Sequence, residues 1–227
     1  MDDIWDEHRW EDFLRESDRR TDLYMRYWDQ YVRRIPPPPE DAPEAAREAW
    51  ERGLHAYLAR KMGWDQHDGD LPLWLEDFDA EPEDDGEAWK AGLGEAYPEA
   101  QDVRDLPLYQ RAFAFGSTVM DWAETVPEGD KDTVFVDFCS NALQVGAKVA
   151  GGHGMGYDLE ALGGNIAVTK RGLHAANRAL AALQQLRREP FMEEATYRRL
   201  YEQTYEVRNA VGLHVQHLRE RFERGVE

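Results

Sequence analysis

Three histidines are the first residues whose chemistry invites a reading. His214 and His217 stand three apart near the C-terminal end, with His174 upstream. On helices this spacing suits a metal site of the kind built inside helical bundles, where histidines are joined by inward carboxylates, often as Glu-x-x-His pairs. No such pair lies near these histidines. They are therefore expected at a surface or interface, with no metal and no cofactor. The stretch from Gly151 to Gly156, with His153 inside it, resembles a phosphate-cradling loop in glycine content. It follows a helical pattern instead of a strand and lacks the required spacing, so a helix-to-helix turn is expected. Cys139 sits among Phe135, Phe138 and Ala142 and reads as a buried free thiol. No Gly-x-Ser-x-Gly element is present, and nothing in the chain reads as an enzyme's catalytic set.

Two further groups suit binding. Lys170, Arg171, Arg178, Arg187 and Arg188 form the strongest basic set, and positions 171 and 178 share a heptad phase. They predict a stripe on one side of a helix. Such a stripe is ordinarily a solvated face. Its functional uses are contact with nucleic acid or phosphate, or docking of the chain's own acidic half. The apolar island at residues 71–78 contains Trp74, Leu75 and Phe78 amid acids. Asp70-Leu71-Pro72-Leu73-Trp74 with Phe78 is echoed by Asp105-Leu106-Pro107-Leu108-Tyr109 with Phe113. Two similar helix entries explain the echo, with an acid as cap and Pro in the first turn. The sharper reading makes Trp74, Leu75 and Phe78 an anchor for a protein partner, steered by acids to a basic rim.

The elements that position these groups follow from periodicity. Residues 157–188 carry Leu159, Leu162, Ile166, Thr169, Leu173, Ala176, Leu180 and Leu183 at alternating steps of three and four, the seam of a long packed helix. Upstream, residues 106–126 present Tyr109, Ala112, Gly116, Val119 and Ala123, and residues 132–150 present Phe135, Phe138, Ala142, Val145 and Val149 before Gly151-Gly152 closes the helix. A last helix over 193–224 turns Tyr197, Tyr201, Thr204, Val211, Val215, Leu218 and Phe222 inward; Arg208 falls on the same seam, so either the seam rotates locally or Arg208 finds a carboxylate or another subunit. Four helices joined by short breaks predict an antiparallel up-down four-helix bundle over 103–227. Its glycines, including Gly146, Gly163, Gly164 and Gly172, imply close backbone packing within the bundle or between subunits.

Residues 1–102 read as an acidic, Trp-rich helical region. A helix is expected over 4–35, with Trp10, Phe13, Tyr24, Trp28, Tyr31 and Ile35 at spacings compatible with one face, interrupted by the polar stretch 15–22, and ending at the Pro36–39 linker. A second is expected from about Pro43, capped by Asp41, with Ala46, Trp50, Leu54, Tyr57, Leu58 and Met62 inward and Gly63 at its end.

The net charge of -19 is unevenly spread: residues 1–102 hold 12 basic and 29 acidic groups, and residues 103–227 hold 15 and 17. The acidic half repels bare nucleic acid and suits a tail, a lid or a surface for a basic partner. No apolar run reaches the ~18 residues of a membrane span, and the acidic start is unlike a signal peptide. The expected location is cytoplasmic, without a membrane partner.

Asp105-Leu106, Tyr109 and Phe113 opening one helix, Ser140-Asn141-Ala142 through Ala150-Gly151-Gly152 in the next, and the long third helix resemble a known family over about 103–222. It is the four-helix-bundle family of ribosomal-RNA intervening-sequence proteins, which includes accessory proteins of diversity-generating retroelements. The resemblance implies a homopentamer without enzymatic activity and, in the retroelement branch, association with a reverse transcriptase and nucleic acid. Where similar proteins carry a basic stretch after the second-helix glycine, this chain has His153-Gly154-Met155-Gly156-Tyr157-Asp158, which argues against direct nucleic-acid contact. The expected function is thus a non-catalytic oligomeric adaptor, with the bundle assembling into a ring and the acidic region binding a protein partner. The alternatives are an accessory protein of a nucleic-acid enzyme and, less favoured, a metal-binding bundle.

Overall fold

In a computed structural model, the described residues, 4–64 and 102–226, form six α-helices and two 3-10 turns, with no strand among them. The helices are α1 (Glu7–Arg34), α2 (Glu44–Met62), α3 (Pro107–Thr125), α4 (Thr133–Met155), α5 (Leu159–Leu186) and α6 (Glu194–Val226). None is long and apolar enough to cross a membrane. Two compact units result: Met1–Glu11 with Ala88–Glu227, and Asp12–Glu87. The first residues of α1 therefore group with the C-terminal helices. The anchor residues Trp74, Leu75 and Phe78 lie outside the described residues.

In the smaller unit, Tyr24, Tyr27 and Tyr31 of α1 pack with Trp50, Leu54, Tyr57 and Leu58 of α2. Trp50 Nε1 donates to the Ile35 carbonyl at 2.9 Å, tying α2 to the residue before the proline run. The single apolar face expected for α1 does not form. Phe13, Trp28 and Ile35 are 51%, 37% and 46% exposed, and Tyr27 takes the inward position beside Tyr31. Asp41 does not cap α2. The capping position is Pro43, which has no side-chain acceptor to offer, so the first N–H groups lack a cap bond. At the other end Gly63, with φ 75°, closes the helix by donating its N–H to the Ala59 carbonyl.

In the larger unit, α5 packs on α4 and α6, and α3 packs on the same two helices. All four contribute to one apolar core. Trp122 is its aromatic centre, with ring centroids 5.4 Å from Phe135 and 5.8 Å from Phe138. Burial on α5 extends well beyond the expected seam, because the helix has neighbours on two sides. Leu162, Ile166, Thr169 and Leu183 are buried, as are Ala175, Ala179, Ala182 and Leu186, while Leu173 and Leu180 are only partly covered.

Several helix ends differ from expectation for local reasons. Asp132 caps α4, accepting from the Phe135 N–H at 2.8 Å, but α4 runs through Gly151 and Gly152 and stops at Gly156, where φ is 106°. Gly152 is buried, and a Cβ there would strike Thr169 and Asn165 of α5. It serves close approach, not termination. The same contact places Asn165 so that its Nδ2 donates to the Gly156 carbonyl at 2.9 Å while its Oδ1 accepts from Thr169 Oγ1 at 3.1 Å, satisfying buried polar groups. Asp105 is not the cap of α3; Leu106 holds that position, followed by Pro107, and Asp105 ends a preceding 3-10 turn capped by Asp102. On α6 the buried line includes Leu200 and Val207. Arg208 therefore turns aside, and it is taken by the amides of Asn177 at 3.0 Å and Asn209 at 2.9 Å instead of a carboxylate.

Candidate interaction site

The most developed polar arrangement in the larger unit is built around the start of α1. The Asp6 carboxylate accepts from the N–H groups of His8 at 3.1 Å and Arg9 at 2.9 Å, which fixes where the helix begins. The next turn then presents Glu7, Trp10 and Glu11 at positions three and four apart, on one side of the helix. That side lies on α5. Ideal Cβ atoms placed on Gly163 and Gly164 would collide with the Trp5 carbonyl oxygen, the Trp10 indole and the Met155 methyl. The two glycines are thus a flat floor for the arm formed by residues 5–11. The Trp5 ring meets Trp10 edge-on at 5.3 Å and carries the Arg9 guanidinium 4.5 Å above its centroid.

Beyond the glycine floor is a basic slot. Arg219 of α6 grips Glu7 with two donors, Nε to Oε2 at 2.7 Å and Nη2 to Oε1 at 2.6 Å, and Lys170 of α5 adds Nζ to Oε1 at 3.0 Å. One turn on, Arg171 holds Glu11 through Nε at 2.9 Å and Nη2 at 3.4 Å. Forked, charge-assisted pairs of this kind fix orientation as well as contributing energy. Glu7 is only 11% exposed in its side chain, whereas Arg219 and Lys170 retain 42% and 32%. The hydrogen bonds from Arg219, followed by those from Lys170, hold the Glu7 carboxyl at about 2, against burial, which acts to raise it. Arg219 is pushed up from its ordinary value by the same hydrogen bond.

The five basic residues singled out from sequence do not act as one stripe. Lys170 and Arg171 meet in the slot. Arg178 donates to Asn141 of α4 at 2.9 Å, and Arg187 reaches Glu194 of α6 at 3.2 Å while lying 4.9 Å from the Tyr197 ring centroid. Arg188 is exposed beyond the end of α5. Glu7, Glu11, Trp10 and Arg219 complete the site and were not among the sequence candidates. The signal available for them is a pair of acids one turn apart flanking a Trp. His153 lies in the last turn of α4 and shares a 2.9 Å hydrogen bond with the Tyr157 hydroxyl. His174 and His217 are exposed, and His214 is half-buried in a cleft lined by Pro107, Leu108, Arg111 and Leu213. Among the described residues, no cluster of three or more His, Cys, Asp or Glu is placed to hold a metal ion.

Two apolar surfaces accompany the slot, one in each unit. On the outer side of α3 and α4, Phe113 and Met120 are 62% and 40% exposed, and Val136 and Leu143 are 51% and 45% exposed. Leu143 lies over Gly116 of α3, which joins the two helices into one face. In the smaller unit, Phe13, Ser17, Thr21, Tyr24, Met25 and Trp64 line a groove of about 660 Å³.

No known protein family, curated protein or solved structure matches this chain.

Proposed function

We propose that this protein is a non-catalytic oligomeric adaptor of the cytoplasm. Helices α3 to α6 form an antiparallel up-down four-helix bundle that self-assembles into a ring, and the acidic N-terminal region recruits a protein partner. The observation that carries the assembly is the outer face of α3 and α4. Its four large exposed side chains repeat seven residues apart on each helix, Phe113 with Met120 and Val136 with Leu143. A heptad stripe on two adjacent helices matches a second copy of itself, and copies related by rotation close into rings. The resemblance over residues 103–222 implies five subunits. Recruitment is supported by the groove along α1, where exposed Phe13 and Met25 are rimmed by Glu16 and Arg20. Repeating a modest groove around a ring raises its avidity without improving any single contact.

Light scattering on the full chain tests the reading. The expected mass is a multiple of the 26.3 kDa chain, five-fold if the resemblance holds, and it should collapse to one chain in the Phe113→Glu, Leu143→Glu variant. A wild-type monomer at tens of micromolar would refute it.

A further inference from the structure

We propose that the slot formed by Gly163, Gly164, Lys170, Arg171 and Arg219 accepts the arm of a second copy of this chain, so that neighbouring subunits exchange residues 5–11. The slot is specific for a short motif. It reads a Trp on a glycine floor and two carboxylates one turn apart, through two forked arginines and a lysine. A second copy brings the matching ligand, with both carboxylates and Trp10 on a capped helix and the Trp5 ring packed edge-on against Trp10.

Chain connectivity does not assign an arm to its own slot. After Glu11 the chain enters the other compact unit, Asp12–Glu87, before returning to the one that holds the slot. An element attached through so long an excursion is the kind exchanged between protomers at little cost, since every contact made within one chain is remade between two. When copies are brought together, a neighbour's slot within reach of the arm competes with the chain's own. The proposal names a second contact for the self-assembly proposed above and rests on that reading.

The test uses two full-length variants, both also carrying Phe113→Glu and Leu143→Glu to remove the outer-face contact. One has Glu7→Lys and Glu11→Lys; the other has Lys170→Glu, Arg171→Glu and Arg219→Glu. In each variant the arm is repelled by its own slot, but mixing them matches charge in both directions. With different affinity tags, co-capture of the mixture should exceed that of either variant with itself at least ten-fold and should weaken in 1 M salt. Equal or absent co-capture by variants that retain helical circular dichroism would overturn the exchange. Failure of the self-assembly reading shows separately, as a monomeric wild-type chain. Should the slot variant not fold, a labelled peptide of residues 1–15 replaces it. The peptide should bind the Glu7→Lys, Glu11→Lys chain at least ten-fold tighter than the same chain carrying Gly163→Ala. No difference, or no binding, would equally overturn the proposal.

Discussion

Replacing Glu7 by Gln removes the charge at the centre of the slot while nearly preserving its shape. The carboxyl lies at about 2 against an ordinary 4.5, and at ~1.4 kcal/mol per pKa unit this is about 3 kcal/mol favouring the charged, docked form. Arg219 and Lys170 are 42% and 32% exposed, so water screens part of that energy and rehydrates both cations once the partner is gone. About 2 kcal/mol is the expected loss, which corresponds to a ~30-fold rise in the population of undocked arm. Undocking frees the first turn of α1 to fray, and hydrogen exchange in a fragment covering residues 8–16 reads it directly. Exchange there should accelerate by that factor at pH 7, with fragments from α2 unchanged. A change of less than three-fold would refute the assignment of docking energy to Glu7.

The same residue sets the pH response. Its pKa is lower in the folded state than in the unfolded state, so its contribution is complete above 4.5 and is lost as pH falls towards about 2. Wild-type arm protection, corrected for intrinsic exchange, should decline across that window. Glu7→Gln should show no such decline from this group.

Gly163→Ala should have effects of opposite sign in two places. Alanine favours helix by roughly 1 kcal/mol over glycine, yet its Cβ meets the Trp5 carbonyl and Trp10; a thermal melt should hold or rise while arm protection falls, and loss of both would refute the floor. Gly152→Ala should lower stability by about 1–3 kcal/mol in urea unfolding, because the added methyl meets buried Thr169 and Asn165. Burial raises the Cys139 thiol to about 11, so alkylation under native conditions should be slow at pH 8 and climb steeply above pH 10. Rapid labelling at pH 8 would contradict its placement.

The all-helical class is legible because period and punctuation agree. Pro36–39, Pro127 and Pro190 each fall outside a helix, and Val119, Phe138, Ile166 and Val211 fall on buried faces. The glycines are harder to read. Glycine serves both a helix end with positive φ and a flat contact between helices, and sequence does not separate Gly156, which does the first, from Gly152, which does the second. The site was half legible. Lys170 and Arg171 stand out in a long apolar helix, whereas Glu7 and Glu11 are two acids in a half that holds 29, and nothing local distinguishes the pair that is buried. Arg219 lies far along the chain and is joined to them only by packing of α6 beside α5.

The charge distribution bears on how firmly the arm is held. Docking brings two carboxylates to three cations, so the slot itself attracts the arm and keeps one surplus positive charge. The remainder of residues 1–102 stays strongly acidic and gains nothing from those contacts, while residues 103–227 are already slightly negative. Long-range repulsion therefore opposes a short-range attraction, and salt acts on them unequally. Screening beyond a Debye length of ~10 Å at 0.1 M weakens the repulsion first, and the partly buried forks at 2.6–2.9 Å are affected last. Arm protection should then rise on going from low to moderate salt and fall only near 1 M, where the ion pairs themselves are screened. A steady fall from the lowest salt onward would mean that the slot's attraction alone governs the arm.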